Sequence, residues 1–531
     1  MSNSTLAVLK HGVFAQLLLG NFISSMGVWL HTAAAAWVML ELTNSPLMVG
    51  LVTGCTFIPR VVLAVPAGAF IDMFDRRRMV LFGNMFQAAV AIPTGLLYAA
   101  GLLGPWLLVV MTLLLGTGQA LAMPAYHSII QDVVPRSQLP PAVTLNSGSV
   151  NVARAFGPAV AGLLIAGGRT DLAFILNGLS YAAICLAAWR IPRQEKRSRS
   201  PESLRRAMRT GVRFMRHSPL LLRVTAVSAM FAFTSANLQA LLAPAAVHRD
   251  LGPQGYGLLF SCFGVGALVG ALTTGALTRL VGVNHSALPV SIAIFGASGV
   301  AFAIVPSTWA AAVMIAIAGA AWVITFATLN TIVQLTVPTW VRGRLLSIYM
   351  MAFTGAMPVG ALLAGGLGEL LGTPLAIAIT SLAVMLVAAL AYLLRLPSTA
   401  GLDVPEMPED WVRTQHATEV TGGPVAVLVT WEIKPDQLAP FLEAMKTLRM
   451  HRQRTGAQRW TLFRDADRPE RLTELFELSD WDEHLRQSER IDRAAAEAIK
   501  HARSFDVAGA PVVVHMVGMD VTDAVTAARP G

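Results

Sequence analysis

The chain has 531 residues, of which 54% are hydrophobic and 13% charged, and its mean hydropathy is +0.58. A soluble domain is nearer 25% charged, so water is not the solvent for most of this chain and a wholly soluble enzyme is excluded. The net charge of +9 is distributed over alternate loops and forms no continuous basic face, which argues against a nucleic-acid partner.

In chain order, the first dozen residues carry Lys10 as their one charged side chain, and the apolar stretch that follows is too long for a cleavable leader. It reads as a first membrane span. A bilayer core needs about 20 apolar residues per helix, and such stretches recur at 13–40, 47–71, 79–101, 106–130, 142–166 and 172–191, then at 220–247, 256–280, 287–305, 309–335, 345–371 and 374–394. The expected fold is therefore an all-α membrane protein of twelve transmembrane helices in two six-helix halves, 1–191 and 220–396. Gln131-Asp132-Val133-Val134-Pro135 and Gln334-Leu335-Thr336-Val337-Pro338 end corresponding spans of the two halves, each followed by arginine. Arginine is concentrated in the even-numbered loops, at Arg76 to Arg78, Arg136, the run from Arg190 to Arg223, Arg279, and Arg342 with Arg344. The odd loops hold Arg169 and Arg249. This positive-inside pattern predicts a multi-pass protein of the cytoplasmic membrane with both termini in the cytoplasm.

The basic linker, 192–219, places Leu204, Ala207, Met208, Val212 and Met215 at helical spacing, with Arg205, Arg209, Arg213 and Arg216 on the other face. It predicts an amphipathic helix lying against anionic headgroups. Beyond a proline-containing linker, 397–423, the composition becomes charged, and 424–531 reads as strand, helix, two strands, helix, strand. That order is a ferredoxin-like α+β domain (βαββαβ) on the cytoplasmic side.

Between the second and third spans stands Gly68-Ala69-Phe70-Ile71-Asp72-Met73-Phe74-Asp75-Arg76-Arg77-Arg78. Glycine permits close helix approach, and Asp72 can accept from helix N-terminal amides or pair with arginine. The arginine triplet by itself also serves to set topology. This loop resembles the signature of the major facilitator superfamily, with Gly68, Asp72, Arg76, Arg77 and Arg78 at its glycine, aspartate and basic positions. The resemblance implies a conformational latch. Ala153-Arg154-Ala155-Phe156-Gly157-Pro158-Ala159-Val160-Ala161-Gly162 is similar to the superfamily's antiport motif, and Gly157, Pro158 and Gly162 read either as a hinge or as close packing. Two expected glycines there are alanine. Thr112 stands where the superfamily's drug/proton antiporters carry arginine ahead of a glycine pair, here Gly116 and Gly118.

Arg60 and Arg154 fall near mid-depth of their spans, where an uncompensated charge is costly. They read either as ligands for an anionic cargo or as groups bonded to carbonyls. His31, Gln119 and Asn151 are further substrate or coupling candidates, with interhelical hydrogen bonding as the plainer role.

Cys55, Cys185 and Cys262 each sit in an apolar stretch and form neither a disulfide framework nor a metal-ligand spacing. No lysine follows a glycine, so there is no P-loop to hydrolyse ATP. No catalytic residue, metal site or cofactor is expected.

The whole chain resembles the enterobactin-exporter branch of the superfamily, and within it the transmembrane secretion effectors that carry a C-terminal extension. The resemblance implies alternating-access export of a siderophore, drug or other metabolite, with proton antiport. The extension, through Trp481-Asp482-Glu483-His484, looks like small dimeric domains of the antibiotic-biosynthesis monooxygenase type, which implies homodimerisation or regulation. The alternative is a membrane-anchored enzyme or ligand sensor whose active part is that domain.

Overall fold

A computed structural model describes residues 7–64, 74–191, 211–280, 287–338, 340–396, 423–491, 493–509 and 511–518. The chain divides into two compact units. The first comprises 1–201, 223–332 and 349–401, and the second 202–222, 333–348 and 402–531.

Eleven helices among the described residues are long and apolar enough to cross a bilayer. They are α1 (Gly12–Thr43), α4 (Arg76–Ala99), α5 (Pro105–Val133), α6 (Leu139–Ala166), α7 (Thr170–Trp189), α8 (Pro219–His248), α9 (Gly252–Leu280), α10 (Ala287–Ile304), α11 (Thr308–Thr336), α12 (Arg342–Leu371) and α13 (Thr373–Leu393). The expected second span, 47–71, is not one continuous helix in its described part. It consists of α2 (Pro46–Cys55) and α3 (Ile58–Val62). Thr56 and Phe57 donate to carbonyls three residues back, tightening the chain just before Pro59, which has no N–H to offer.

The helix ends follow local chemistry. Asn44 turns left-handed at φ 50°, Ser45 caps α2 by accepting from the Met48 amide at 3.3 Å, and Pro46 occupies the first turn. Asp75 caps α4 through the Arg77 amide at 2.9 Å. Gly372, at φ 83°, makes the turn between α12 and α13 that a side chain would strain. In the first unit α1 packs on α6 and α7, α4 on α5 and α7, α10 on α13, and α6 on α9, which joins the two halves.

The second unit contains β1 (Val425–Glu432), α14 (Leu438–Thr455), β2 (Arg459–Arg464), β3 (Arg471–Leu478), α15 (Trp481–Glu489), α16 (Arg493–Arg503) and β4 (Val512–Val517). Its strands form one antiparallel sheet in the order β2-β3-β1-β4. Alternate residues of β1 and β3 enter a core with Phe441, Leu448 and Ile499, and Val427 stands opposite Phe476. The predicted single helix over 480–503 is broken at Arg490, whose guanidinium turns inward to the Glu483 carboxylate. Residues 211–216 are helical, but Val212 is exposed while Phe214 and Met215 are buried. The apolar face predicted for the linker is thus rotated. Its reason is Arg213, which donates to the Gly456 carbonyl at 2.9 Å and to Glu483 at 3.3 Å. The rest of that predicted helix lies outside the described residues.

Candidate functional site

The two halves approach most closely where small residues line both sides. A Cβ at Gly162 on α6 would lie 2.8 Å from the Pro253 carbonyl oxygen of α9, and one at Gly257 would lie 2.8 Å from the Gly162 Cα. Further along the same pair, a Cβ at Gly264 would meet Ala155 at 2.5 Å. On the other side of the seam, Gly365 of α12 faces Pro46 at 2.6 Å, and Ser45 donates to Glu369 at 2.6 Å. The contacts of Gly162, Gly257, Gly365 and Ser45 lie toward the helix ends joined at Asn44, Gly167, Asp250 and Gly372, and that of Gly264 lies at mid-span beside Arg154. Gly157 serves a different contact, against Trp29 of α1.

Arg154 projects from α6 at this seam. Its guanidinium stands over the indole of Trp29, in the first half, at 4.8 Å and over that of Trp322, in the second half, at 5.3 Å. Trp322 is held by its donation to the Ser235 hydroxyl at 3.3 Å and stacks on Phe326 at 5.6 Å, with Phe353 beside them. Trp29 meets Phe260 edge-on at 6.0 Å. A charge at the centre of a membrane helix costs about 3 kcal/mol. Two desolvated cation–π contacts of about 1–2 kcal/mol each offset that cost, but a ring face is a much weaker hydrogen-bond acceptor than a carbonyl or carboxylate oxygen. The Arg154 Nε is buried without an acceptor.

Inside the first half is a cavity of about 40 Å³ lined by His31, Thr53, Gln87, Thr112, Gln119, Asn177 and Tyr181 among others. That is room for about three waters and far below the few hundred Å³ of a drug-sized site. His31 is buried, with its ring 4.8 Å from Phe174, and neither ring nitrogen has a hydrogen-bond partner among the described residues. The Asn177 side-chain oxygen Oδ1 likewise has no partner among the described residues. Gln119 accepts from Arg60 at 2.5 Å, and the Arg60 guanidinium lies over Phe57 at 5.0 Å. Three of the predicted residues, His31, Gln119 and Arg60, thus belong to one neighbourhood. Arg154 belongs to another, and the half-buried Asn151 on α6 does not line the cavity.

Of the predicted latch, Gly68 and Asp72 lie outside the described residues. Arg76 pairs with Asp132 at the end of α5, Arg77 donates to the Ile191 carbonyl at 2.8 Å, and Arg78 is exposed. Sequence reasoning passed over Trp29 and Trp322. Their signal was a tryptophan deep inside an apolar stretch, whereas the residue favours membrane interfaces.

In the second unit Arg490 donates to both Glu483 oxygens, at 2.6 and 3.2 Å, and stands over Trp340 at 4.7 Å. Arg454 stands over Phe214 at 4.6 Å, and Phe214 meets Trp340 edge-on. Burial pushes the Glu483 carboxyl up. The hydrogen bond and charge of Arg490, with the charges of Arg213 and Arg486, outweigh burial and hold it below the ordinary carboxylate value.

The family described as transmembrane secretion effector matches residues 3–522. The chain is 25% identical to the MFS-type transporter YfiS of Bacillus subtilis (strain 168), over 68% of this chain and 88% of that one. It is 23% identical to the multidrug efflux pump Tap of Mycolicibacterium fortuitum, over 75% and 99%, and 26% identical to the enterobactin exporter EntS of Salmonella typhi, over 71% and 90%. Among solved structures, the nucleoside transporter NupG superposes with a TM-score of 0.58 at 12% identity, covering 72% of this chain and 98% of that one. A bacterial homologue of the human lysosomal transporter Spinster, inward-facing, superposes with a TM-score of 0.58 at 16% identity, over 74% and 98%.

Proposed function

Since the chain belongs to the transmembrane secretion effector family of the major facilitator superfamily, we propose that it exports a small, acidic molecule across the cytoplasmic membrane by alternating access, coupled to proton antiport. The observation that carries the reading is the seam, where close-packed glycines join the halves near one set of helix ends and the guanidinium of Arg154 stands over an indole from each half. Rocking about such a seam exposes a central site to either side. The drug and siderophore exporters among the relatives support an efflux direction. Arg154 and Arg60 favour an anionic cargo. The His31 cavity, sized for water, suits the proton path better than the cargo.

In this reading α2 and α3 belong to the second of twelve spans, and the arginine-rich loops face the cytoplasm together with both termini. The sheet order β2-β3-β1-β4 supports a ferredoxin-like C-terminal domain. Its open sheet face, with Phe463, Val512, Val514 and Met516 exposed, supports homodimerisation through that face.

The test is uptake into inverted membrane vesicles with an acidified lumen, using enterobactin and nalidixate as two acidic probes. Vesicles carrying the chain accumulate at least one probe above control vesicles, and a protonophore abolishes the difference. Accumulation that survives collapse of the gradient overturns antiport. Vesicles indistinguishable from controls with both probes overturn export of these classes.

A further inference from the structure

Among the described residues of the first unit, each carboxylate lies within three residues of the end of a spanning helix or outside the spans. Glu41 accepts from Trp37 at 2.5 Å, Asp132 pairs with Arg76, Asp171 lies 3.5 Å from Arg169, and Glu369 accepts from Ser45. Arg154 sits twelve residues from the end of α6, about 18 Å at 1.5 Å per residue, beyond the reach of any of them. It makes neither a hydrogen bond nor an ion pair among the described residues, whereas Arg60 at similar depth is bonded to Gln119. The Arg154 guanidinium carbon lies over the indoles of Trp29 and Trp322, and its buried Nε has no acceptor among the described residues.

The geometry points to a binding site for a planar aromatic acid at Arg154, its carboxylate bonded edge-on to the guanidinium and its ring lying along the faces of Trp29 and Trp322. A carboxylate supplies the two parallel acceptors a guanidinium edge requires. An aryl ring conjugated with that carboxylate is held close to the two indoles that flank the guanidinium, where offset or edge-on ring contact adds to simple burial. The two indoles come from different halves, so an occupant here touches both parts that must move. This inference rests on the export reading and names its cargo class, and its test is binding, which needs no transport.

The experiment is equilibrium dialysis of radiolabelled benzoate against the purified full chain in detergent, with cyclohexanecarboxylate and benzamide as competitors. Benzoate binds, cyclohexanecarboxylate competes about three- to tenfold more weakly for want of a π-face, and benzamide competes at least about tenfold more weakly for want of charge. Trp322→Leu reduces the difference between benzoate and cyclohexanecarboxylate, and Trp29→Leu combined with it erases that difference. Arg154→Gln erases that between benzoate and benzamide, and Arg154→Lys keeps it. Because each comparison is a ratio within one protein, a partly unfolded variant does not imitate the result, and a monodisperse elution profile is required of each. Absence of benzoate binding to the unmodified chain, equal competition by the three ligands, or an acid preference retained by Arg154→Gln overturns the site. Vesicle accumulation that persists despite any of these leaves the exporter reading standing and removes only this cargo class.

Discussion

Glu483 is buried and ringed by Arg490, Arg213 and Arg486, and that arrangement gives it a pH dependence of definite sign. Its folded-state value lies below the ordinary one, so the stabilisation it provides is fully present above the unfolded carboxylate value of about 4.3. It is lost as pH falls through the lower, folded value. Glu483→Gln keeps the side chain's shape and removes the charge, leaving the buried guanidinium of Arg490 and the half-buried one of Arg213 uncompensated at a cost of about 3 kcal/mol. Hydrogen exchange on the full chain checks this. Amides at 211–217 exchange faster in Glu483→Gln at neutral pH, and acidification through the folded-state value, below the ordinary carboxylate range, makes the unmodified chain behave like the variant. Unaltered exchange in both cases means the ion pairs do not hold that segment. At this scale the sequence revealed which residues were unusual, Arg60, Arg154 and His31, but offered no means of separating them. Arg60 is tied to Gln119 and Arg154 is not, and that distinction depends on a neighbour 59 residues away in the chain.

The helix pair α6 and α9 shows how small residues set an element's position. Gly162 and Gly257 face each other so closely that any side chain must push the helices apart, whereas Gly148 on the same α6 has nothing within 4 Å of its would-be Cβ. Gly162→Leu is therefore expected to destabilise the chain by about 2 kcal/mol through overpacking, with a lower melting temperature and impaired vesicle accumulation. Gly148→Ala gains roughly 0.5–1 kcal/mol of helix propensity at no steric cost. Melting curves of the two variants in one detergent make the comparison, and similar curves mean the seam is looser than the distances imply. The motif around Gly157, Pro158 and Gly162 was legible in the sequence as either a hinge or close packing, and Gly157 and Gly162 are both closely approached. Which helix each glycine approaches was not, because Trp29 and Gly257 belong to different halves.

For the whole molecule, the second unit presents a sheet with one covered and one open face. Val512, Val514 and Met516 on β4 stand opposite Thr430, Leu428 and Ala426 of β1, and their side is the one the helical core leaves open. If a second copy covers it, the purified full chain is a dimer, and Phe463→Glu combined with Val514→Glu yields monomers with an intact melting transition. Light scattering on the detergent-solubilised protein decides the matter. A chain that is monomeric before substitution, or dimeric after it, rules out this face as the contact.

Composition, the period of the apolar stretches and the alternation of arginine between loops determined that this is a multi-pass helical membrane protein. The bilayer's demand for about 20 apolar residues per crossing is a local constraint and leaves a local record. The strands of the C-terminal segment were legible for the same reason, since burial alternates along β1 and β3 with the pleat. Tertiary structure alone brought the indoles of Trp29 and Trp322 to Arg154, turned the linker so that Arg213 meets Glu483, and buried His31 beside Phe174. Each of these joins residues distant in the chain through helix crossings, and crossings depend on shape complementarity between surfaces that a linear pattern of polar and apolar residues does not encode.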